Sequence, residues 1–253
     1  MAELKKQAET KEKYLVKFYV FMLMYIFIAV FILYLTFRFN FGYFSSGNYS
    51  SYRFAGADYF ENESFIVIID AGHGGIDSGA IGIDNIIEKD INLSIAKKLE
   101  SLLNIANIEV IMTRTEDILL NTLDAPRRKA SDLSNRIRVA QKYPSALFIS
   151  IHMNTYPQEK YKGLQVFYSS NNLESANLAD TIKKNNQKYL QPDNNREIRR
   201  GKDIFILERT NNCAVLIECG FLTNREEAHL LNSDEYQNKL SRILFISILQ
   251  HLG

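Results

Sequence analysis

The chain has 253 residues, with 30 Lys and Arg against 29 Asp and Glu and a formal net charge of +1. That balance, with no basic stripe interleaved with aromatics, argues against nucleic acid as a partner. The only cysteines, Cys213 and Cys219, form no Cys-x-x-Cys pair, which leaves a zinc–thiolate site unsupported.

In chain order, residues 1–17 carry Lys5, Lys6, Lys11, Lys13 and Lys17. Residues 18–37 hold no charge, no Gly and no Pro, and every helical turn of them is apolar all round. About 20 such residues span a bilayer. The basic flank places the N-terminus in the cytoplasm by the positive-inside rule. Tyr19, Tyr34 and Tyr43 suit interfacial positions. The competing assignment is a cleavable signal peptide, whose apolar region runs to only about 7–15 residues before a small-x-small site. Here Arg38-Phe39-Asn40-Phe41 follows the run, and Ser45-Ser46-Gly47 is a weak site. The expectation is a transmembrane signal anchor over 18–37, a Ser-, Tyr-, Gly- and Asn-rich tether over 38–63, and one globular domain over 64–253 outside the membrane.

The domain alternates strand and helix. Phe65 to Asp70 reads as a first strand, and Lys89 to Asn104 places Ile91, Ile95, Leu99 and Leu102 at helical spacing. Ile108 to Thr113 is a second strand. Arg127 to Lys142 is a polar, Arg-rich amphipathic helix stopped by Pro144. Ala146 to Ile151 is a continuous apolar strand of the kind covered on both faces. Strands over Gly163 to Tyr168, Ile204 to Leu207 and Ala214 to Cys219 follow, with a helix over Leu173 to Leu190 between the first two. Two helices close the chain, Glu226 to Leu231 and Asp234 to Leu252, the last capped by Ser233. This order predicts an α/β fold, a three-layer sandwich with a mostly parallel sheet flanked by helices. Cys213 and Cys219 share one strand, where six residues rise about 20 Å. A disulfide needs Cα atoms within about 7 Å, so both are expected in the core. Arg196, Arg199, Arg200 and Lys202 cluster on a predicted loop, either as a solvated face or as a contact for an anionic polymer.

Four residues carry the chemistry. Asp70-Ala71-Gly72-His73-Gly74-Gly75 ends the first strand and leaves His73 at its carboxyl end, where open α/β sheets place ligands. Glu88 opens the first helix; by itself it is also explained as a first-turn carboxylate facing the helix dipole. His152, in Ser150-Ile151-His152-Met153-Asn154, follows the third strand; a satisfied core histidine is the alternative. Two imidazoles and a carboxylate suit a catalytic zinc, which takes three protein ligands and leaves a position for water. Glu218 lies in the apolar run Val215 to Phe221, and burying an unpaired carboxylate is costly. It needs a metal, a raised pKa for general-base work, or a salt bridge, with Arg114 the candidate partner. No Gly-x-Ser-x-Gly elbow and no phosphate-binding glycine loop is present.

In the order Asp70 to Gly75, Glu88-Lys89-Asp90-Ile91-Asn92-Leu93, Met112-Thr113-Arg114, Ser150 to Asn154 and Glu218-Cys219-Gly220-Phe221-Leu222-Thr223-Asn224, the chain resembles the zinc-dependent N-acetylmuramoyl-L-alanine amidases over about residues 65 to 252. It is most similar to the germination-specific, CwlD-like branch of spore-forming bacteria, on its single N-terminal membrane segment, its lack of wall-binding repeats and Arg127 to Arg136. Asp70-Ala71 stands where many relatives have Asp-Pro, and Cys219 where many have Val; neither is a ligand position. The resemblance implies Zn2+ as cofactor, with His73, Glu88 and His152 as ligands and Glu218 as the catalytic carboxylate. It implies peptidoglycan as substrate, cut between the muramic acid lactyl group and L-alanine as a first step towards muramic-δ-lactam in spore cortex. Asp70 or Asn154 is expected to hold a ligand histidine through its other ring nitrogen. Arg114 is expected to bind a stem-peptide carboxylate or brace Glu218, and an accessory protein is a candidate partner. The alternatives are another zinc peptidase or deacetylase of the wall, and an inactive membrane-tethered wall-binding or scaffold protein.

Overall fold

A computed structural model describes residues 65–122 and 125–253, together with residues 21, 22, 24 and 31. Apart from those four, the expected cytoplasmic segment, anchor and tether lie outside the described residues. Among the described residues no helix is long and apolar enough to cross a membrane.

The β-branched run of β1 (Ile66–Ala71) is buried from Val67 onward, because neighbours cover it on both edges and both faces. Helix α1 (Glu88–Ile105) buries Ile91, Ile95, Leu99 and Leu103, a stripe at helical spacing. Strand β2 (Glu109–Met112) and helix α2 (Arg128–Lys142) follow. Then come β3 (Leu147–Asn154), β4 (Gln165–Tyr168), α3 (Glu174–Tyr189) and β5 (Arg199–Arg200). The chain ends with α4 (Phe205–Arg209), β6 (Ala214–Phe221), α5 (Arg225–Leu231) and α6 (Asp234–Leu252).

The six-stranded sheet has the order β2-β1-β3-β6-β4-β5. Pairings β1–β2, β1–β3, β3–β6 and β4–β5 are parallel, and β4–β6 is antiparallel. The sheet is therefore mixed, with its one reversal at β4. One face packs Val67, Ile69, Ile149, Ile151, Val215 and Ile217 against α1, α3 and α6. The other packs Ile68, Phe148, Ala214 and Leu216 against Ile137 and Ala140 of α2 and Ile206 and Leu207 of α4. Helices on both faces give the three layers.

Two assignments change. Ile204 to Leu207 is not a strand: α4 occupies Phe205–Arg209, preceded by an edge strand at Arg199–Arg200 where a loop was expected. A four-residue apolar run has no period that separates strand from helix. Here Arg199–Arg200 takes the sheet edge, and Ile206 and Leu207 cap the α2 face. Strand β3 also runs on to Asn154, so His152 lies within it rather than after it, and its register against β6 shifts between His152 and Asn154. The Ser233 cap forms, its side chain accepting from Tyr236 N. Cys213 and Cys219 are both free and buried.

Candidate metal centre and active site

Strand β1 ends at Ala71, and Gly72 N still bonds Ile151 O at 3.1 Å. The next residue, His73, has φ +61°, a left-handed conformation that costs a non-glycine residue about 1–3 kcal/mol. Two buried arginines hold it there. Arg114 donates from Nε to Ala71 O (2.9 Å) and from Nη2 to Gly72 O (2.9 Å). Arg136 donates from Nη1 to Ala71 O (2.8 Å) and from Nη2 to His73 O (2.7 Å). Three successive carbonyls of the histidine loop are thus gathered by two guanidinium groups.

Arg136 is itself ion-paired with Asp70 Oδ1 at 2.6 Å and Asp132 Oδ2 at 2.8 Å. Asp70 also accepts from Thr113 Oγ1 at 2.8 Å and Ser150 Oγ at 2.6 Å. Burial pushes the Asp70 pKa upward, but the Arg136 charge and the Ser150 hydrogen bond outweigh it and hold the carboxyl below its usual range.

Glu88, the first residue of α1, brings its carboxylate against both histidines. Its Oε1 lies 3.2 Å from His73 Nε2 and 3.0 Å from His152 Nδ1. The same oxygen accepts from Met153 N at 3.0 Å and Asn92 Nδ2 at 3.3 Å, and Oε2 accepts from Ala80 N at 2.8 Å. Burial alone would raise the Glu88 pKa; the hydrogen bonds to His152 and His73 reverse that and hold the carboxyl far below its usual range. Burial lowers the His73 pKa, but the bond to Glu88 more than compensates, so the net shift is upward. Ligand atoms from His73, Glu88 and His152 all lie within 4.8 Å of one another. Two imidazole nitrogens and one carboxylate oxygen converging on one point match the donor set of a catalytic zinc. On the far side of His73, Nδ1 stands 3.0 Å from Asp77 Oδ2, at ion-pair distance but without hydrogen-bond alignment.

The fourth residue stands beside this triad. Glu218 is the register partner of His152 across β3 and β6, so both side chains leave the same face about 5 Å apart. Its Oε2 is buried without a hydrogen-bond partner among the described residues. Burial pushes its pKa up to about 7, with Glu88 adding to the rise and the two histidines opposing it.

Three sequence-based roles are corrected. Arg114 forms no salt bridge to Glu218: it is 2% exposed, and its donors go to main-chain carbonyls of Ala71, Gly72, Lys89 and Glu116. Asp70 holds Arg136, Thr113 and Ser150 rather than a histidine ring. Asn154 contributes its main-chain oxygen to Leu222 N at 2.9 Å, and no side-chain bond links it to either histidine among the described residues. The sequence reading missed Asp77, four residues after His73, and the Asp132–Arg136 pair. That pair was legible as an i,i+4 ion pair, but nothing local showed that it faces inward.

Gly72 has a steric reason. A Cβ there would lie 2.3 Å from His152 Cε1 and 2.4 Å from its Nε2. Gly72→Ala is expected to push the His152 ring off the triad. Zinc affinity, read by competition with a chromogenic chelator, should fall by at least about 10-fold while the circular dichroism stays native. Unchanged affinity would remove His152 from the ligand set.

A half-buried N/N/O triad at the carboxyl ends of parallel strands, with a further carboxylate one strand away, defines the site of a candidate metallohydrolase on an α/β sandwich. The chain belongs to the Amidase_3 family, N-acetylmuramoyl-L-alanine amidase, which matches residues 67–249. It is similar to the germination-specific N-acetylmuramoyl-L-alanine amidase of Bacillus subtilis, 35% identical over 189 residues that cover 74% of this chain and 79% of that protein. Among solved structures it is similar to the CwlD amidase from Clostridioides difficile in complex with the GerS lipoprotein. That match has 37% identity and a TM-score of 0.71, covering 74% of this chain and 98% of the other. The catalytic domain of CwlV from Bacillus (Paenibacillus) polymyxa var. colistinus matches at 32% identity and a TM-score of 0.63, over 74% of this chain and 98% of that one.

Proposed function

We propose that this protein is a zinc-dependent N-acetylmuramoyl-L-alanine amidase that cuts the amide between N-acetylmuramic acid and the L-alanine of the stem peptide, and that it acts in muramic-δ-lactam formation in spore cortex. The observation that carries the reading is the His73–Glu88–His152 triad with the orphaned Glu218 oxygen beside it. Zinc, when bound, supplies Lewis acidity to the amide carbonyl and to water. His73, Glu88 and His152 hold it. Glu218, with a buried, unpartnered Oε2 and a pKa raised to about 7 by burial, takes a proton from water and returns it to the departing L-alanine nitrogen.

The cortex role rests on similarity to the germination-specific and CwlD amidases. The GerS complex of the CwlD relative supports an accessory protein as partner here. The apolar run over 18–37, with its basic flank, supports a membrane anchor with the catalytic domain, 64–253, on the wall side.

The test is incubation of the full chain with purified peptidoglycan and mass spectrometry of the products. Intact stem peptides beginning with L-alanine are expected. They should vanish on treatment with a chelator and return with added zinc. Release of acetate instead, or cleavage that survives the chelator, would overturn the assignment.

A further inference from the structure

The polar row across the sheet does not end at Glu218. Gln165 of β4 is the antiparallel register partner of Glu218. It therefore stands on the same face, about 5 Å further towards the β5 edge. Gln165 is 4% exposed. Its Nε2 donates to Glu197 O, and its Oε1 accepts from Arg196 Nη1 at 3.3 Å. Arg196 is fixed in turn: Nε donates to Lys162 O at 2.9 Å, and the guanidinium stacks 4.6 Å from the Phe221 ring. Beyond it, Arg199 pairs in register with Phe167, whose side chain packs on the Leu216 face, the face of Glu218. Exposed Arg199 thus shares the face of the active row.

These two cations have no carboxylate at ion-pair distance among the described residues. Glu227 attracts Arg196 from further off, and Arg199 opposes its charge. Both Glu227 oxygens are occupied by the main-chain N–H groups of Gly163 and Phe221, at 2.8 and 2.7 Å. Glu197 is paired with Lys183. Arg196 also borders a cavity of about 500 Å³, shared with Lys160 and Lys162 and with the acids Asp193, Glu226 and Glu227. Arg199, Gln165 and Glu218 do not line it.

We propose that Arg196 and Arg199 form a carboxylate-binding subsite that orients the peptide leaving group over Glu218. The inference rests on the amidase reading. Hydrolysis of an N-acetylmuramoyl-L-alanine amide releases an L-alanyl peptide, which carries a free carboxylate wherever its carboxyl groups are neither amidated nor cross-linked. A guanidinium matches a carboxylate with paired N–H donors. Gln165 sets the distance by holding Arg196 one strand beyond the base, so a peptide anchored there presents its N-terminal amide towards the triad.

The test compares the full chain on two muramoyl peptides that differ only in amidation of the peptide carboxylates. Wild type is expected to favour the free carboxylate by about 10–100-fold in kcat/KM, the range of one or two charge-assisted hydrogen bonds. In Arg199→Met and Arg196→Met that preference should collapse towards one, mostly through KM. Arg199→Lys should keep part of it. Binding of the released L-alanyl peptide, free or amidated, should follow the same order by calorimetry. A wild type indifferent to amidation in both rate and binding, or variants that slow both substrates equally, would overturn the subsite. Arg199 lies exposed on a two-residue edge strand, so its variants keep the test valid if Arg196→Met does not fold. Failure of wild type to cut either substrate at that amide, seen in the product masses, would instead overturn the amidase reading beneath it.

Discussion

Glu218→Gln is expected to keep zinc bound and to lose hydrolysis by about 10²–10⁴-fold, the range a positioned general base contributes. The amide has nearly the same shape as the carboxylate and leaves His73, Glu88 and His152 untouched, so metal content measured by mass spectrometry should stay at the wild-type level. A variant that cleaves at full rate would reject Glu218 as the base. The pH profile provides a second check. Burial raises the Glu218 pKa to about 7, so below that value the carboxyl is protonated and no longer basic enough to take the proton of water. A bound cation beside it would pull that value down, so wild-type kcat/KM should rise with pH and level off at or below about 7. The sign for stability is opposite. Because the folded state favours the neutral carboxyl, this group's contribution is fully present below the usual carboxylate pKa. It is lost as pH climbs from there to about 7. The same environment that makes Glu218 a base near neutrality makes it a burden on the fold.

The second large effect is expected at Arg136. Arg136→Met should lower stability by about 3–5 kcal/mol, the cost of breaking a buried ion pair by removing one partner. Asp70 and Asp132, both buried, would be left without their cation. His73 O would also lose its 2.7 Å donor, so weaker zinc binding should accompany the lower Tm. Arg114→Met provides the contrast. It removes bonds to carbonyls only and exposes no carboxylate, so its stability loss should be smaller while the histidine loop still loosens. Equal losses for both variants would show that the carbonyl bonds, and not the Asp70–Arg136–Asp132 charges, carry the stability. The pH dependence again follows from the shift. The Asp70 pKa is held below its usual value. Its stabilising contribution is thus present above the ordinary carboxylate pKa and lost as pH falls below it. The gap between wild type and Arg136→Met should narrow in acid, measured as Tm against pH.

Much of this was legible from the sequence because it is local. Apolar runs with β-branched residues marked β1, β3 and β6. A period-3.6 stripe marked α1, and Ser233 marked the start of the last helix. His73 between glycines and Glu218 inside an apolar run stood out because a polar side chain at such a position needs a reason. The run Ile204 to Leu207 misled because four residues are too few to display a period, and its structure was decided by the α2 face it covers.

What the chain by itself determined, then, is the set of elements and the residue types at their carboxyl ends. Only the tertiary structure decided how those residues meet. The direction of β4, the face shared by His152, Glu218 and Gln165, and the inward turn of Arg136 all depend on register between segments far apart in sequence. Sequence points Arg114 to a carboxylate, of substrate or of Glu218, and Asp70 to a histidine ring; the contacts of the fold are main-chain carbonyls for Arg114 and Arg136, Thr113 and Ser150 for Asp70. The physical reason is that a buried charge must be satisfied by whatever the packing brings within about 3 Å, and sequence spacing does not encode that distance.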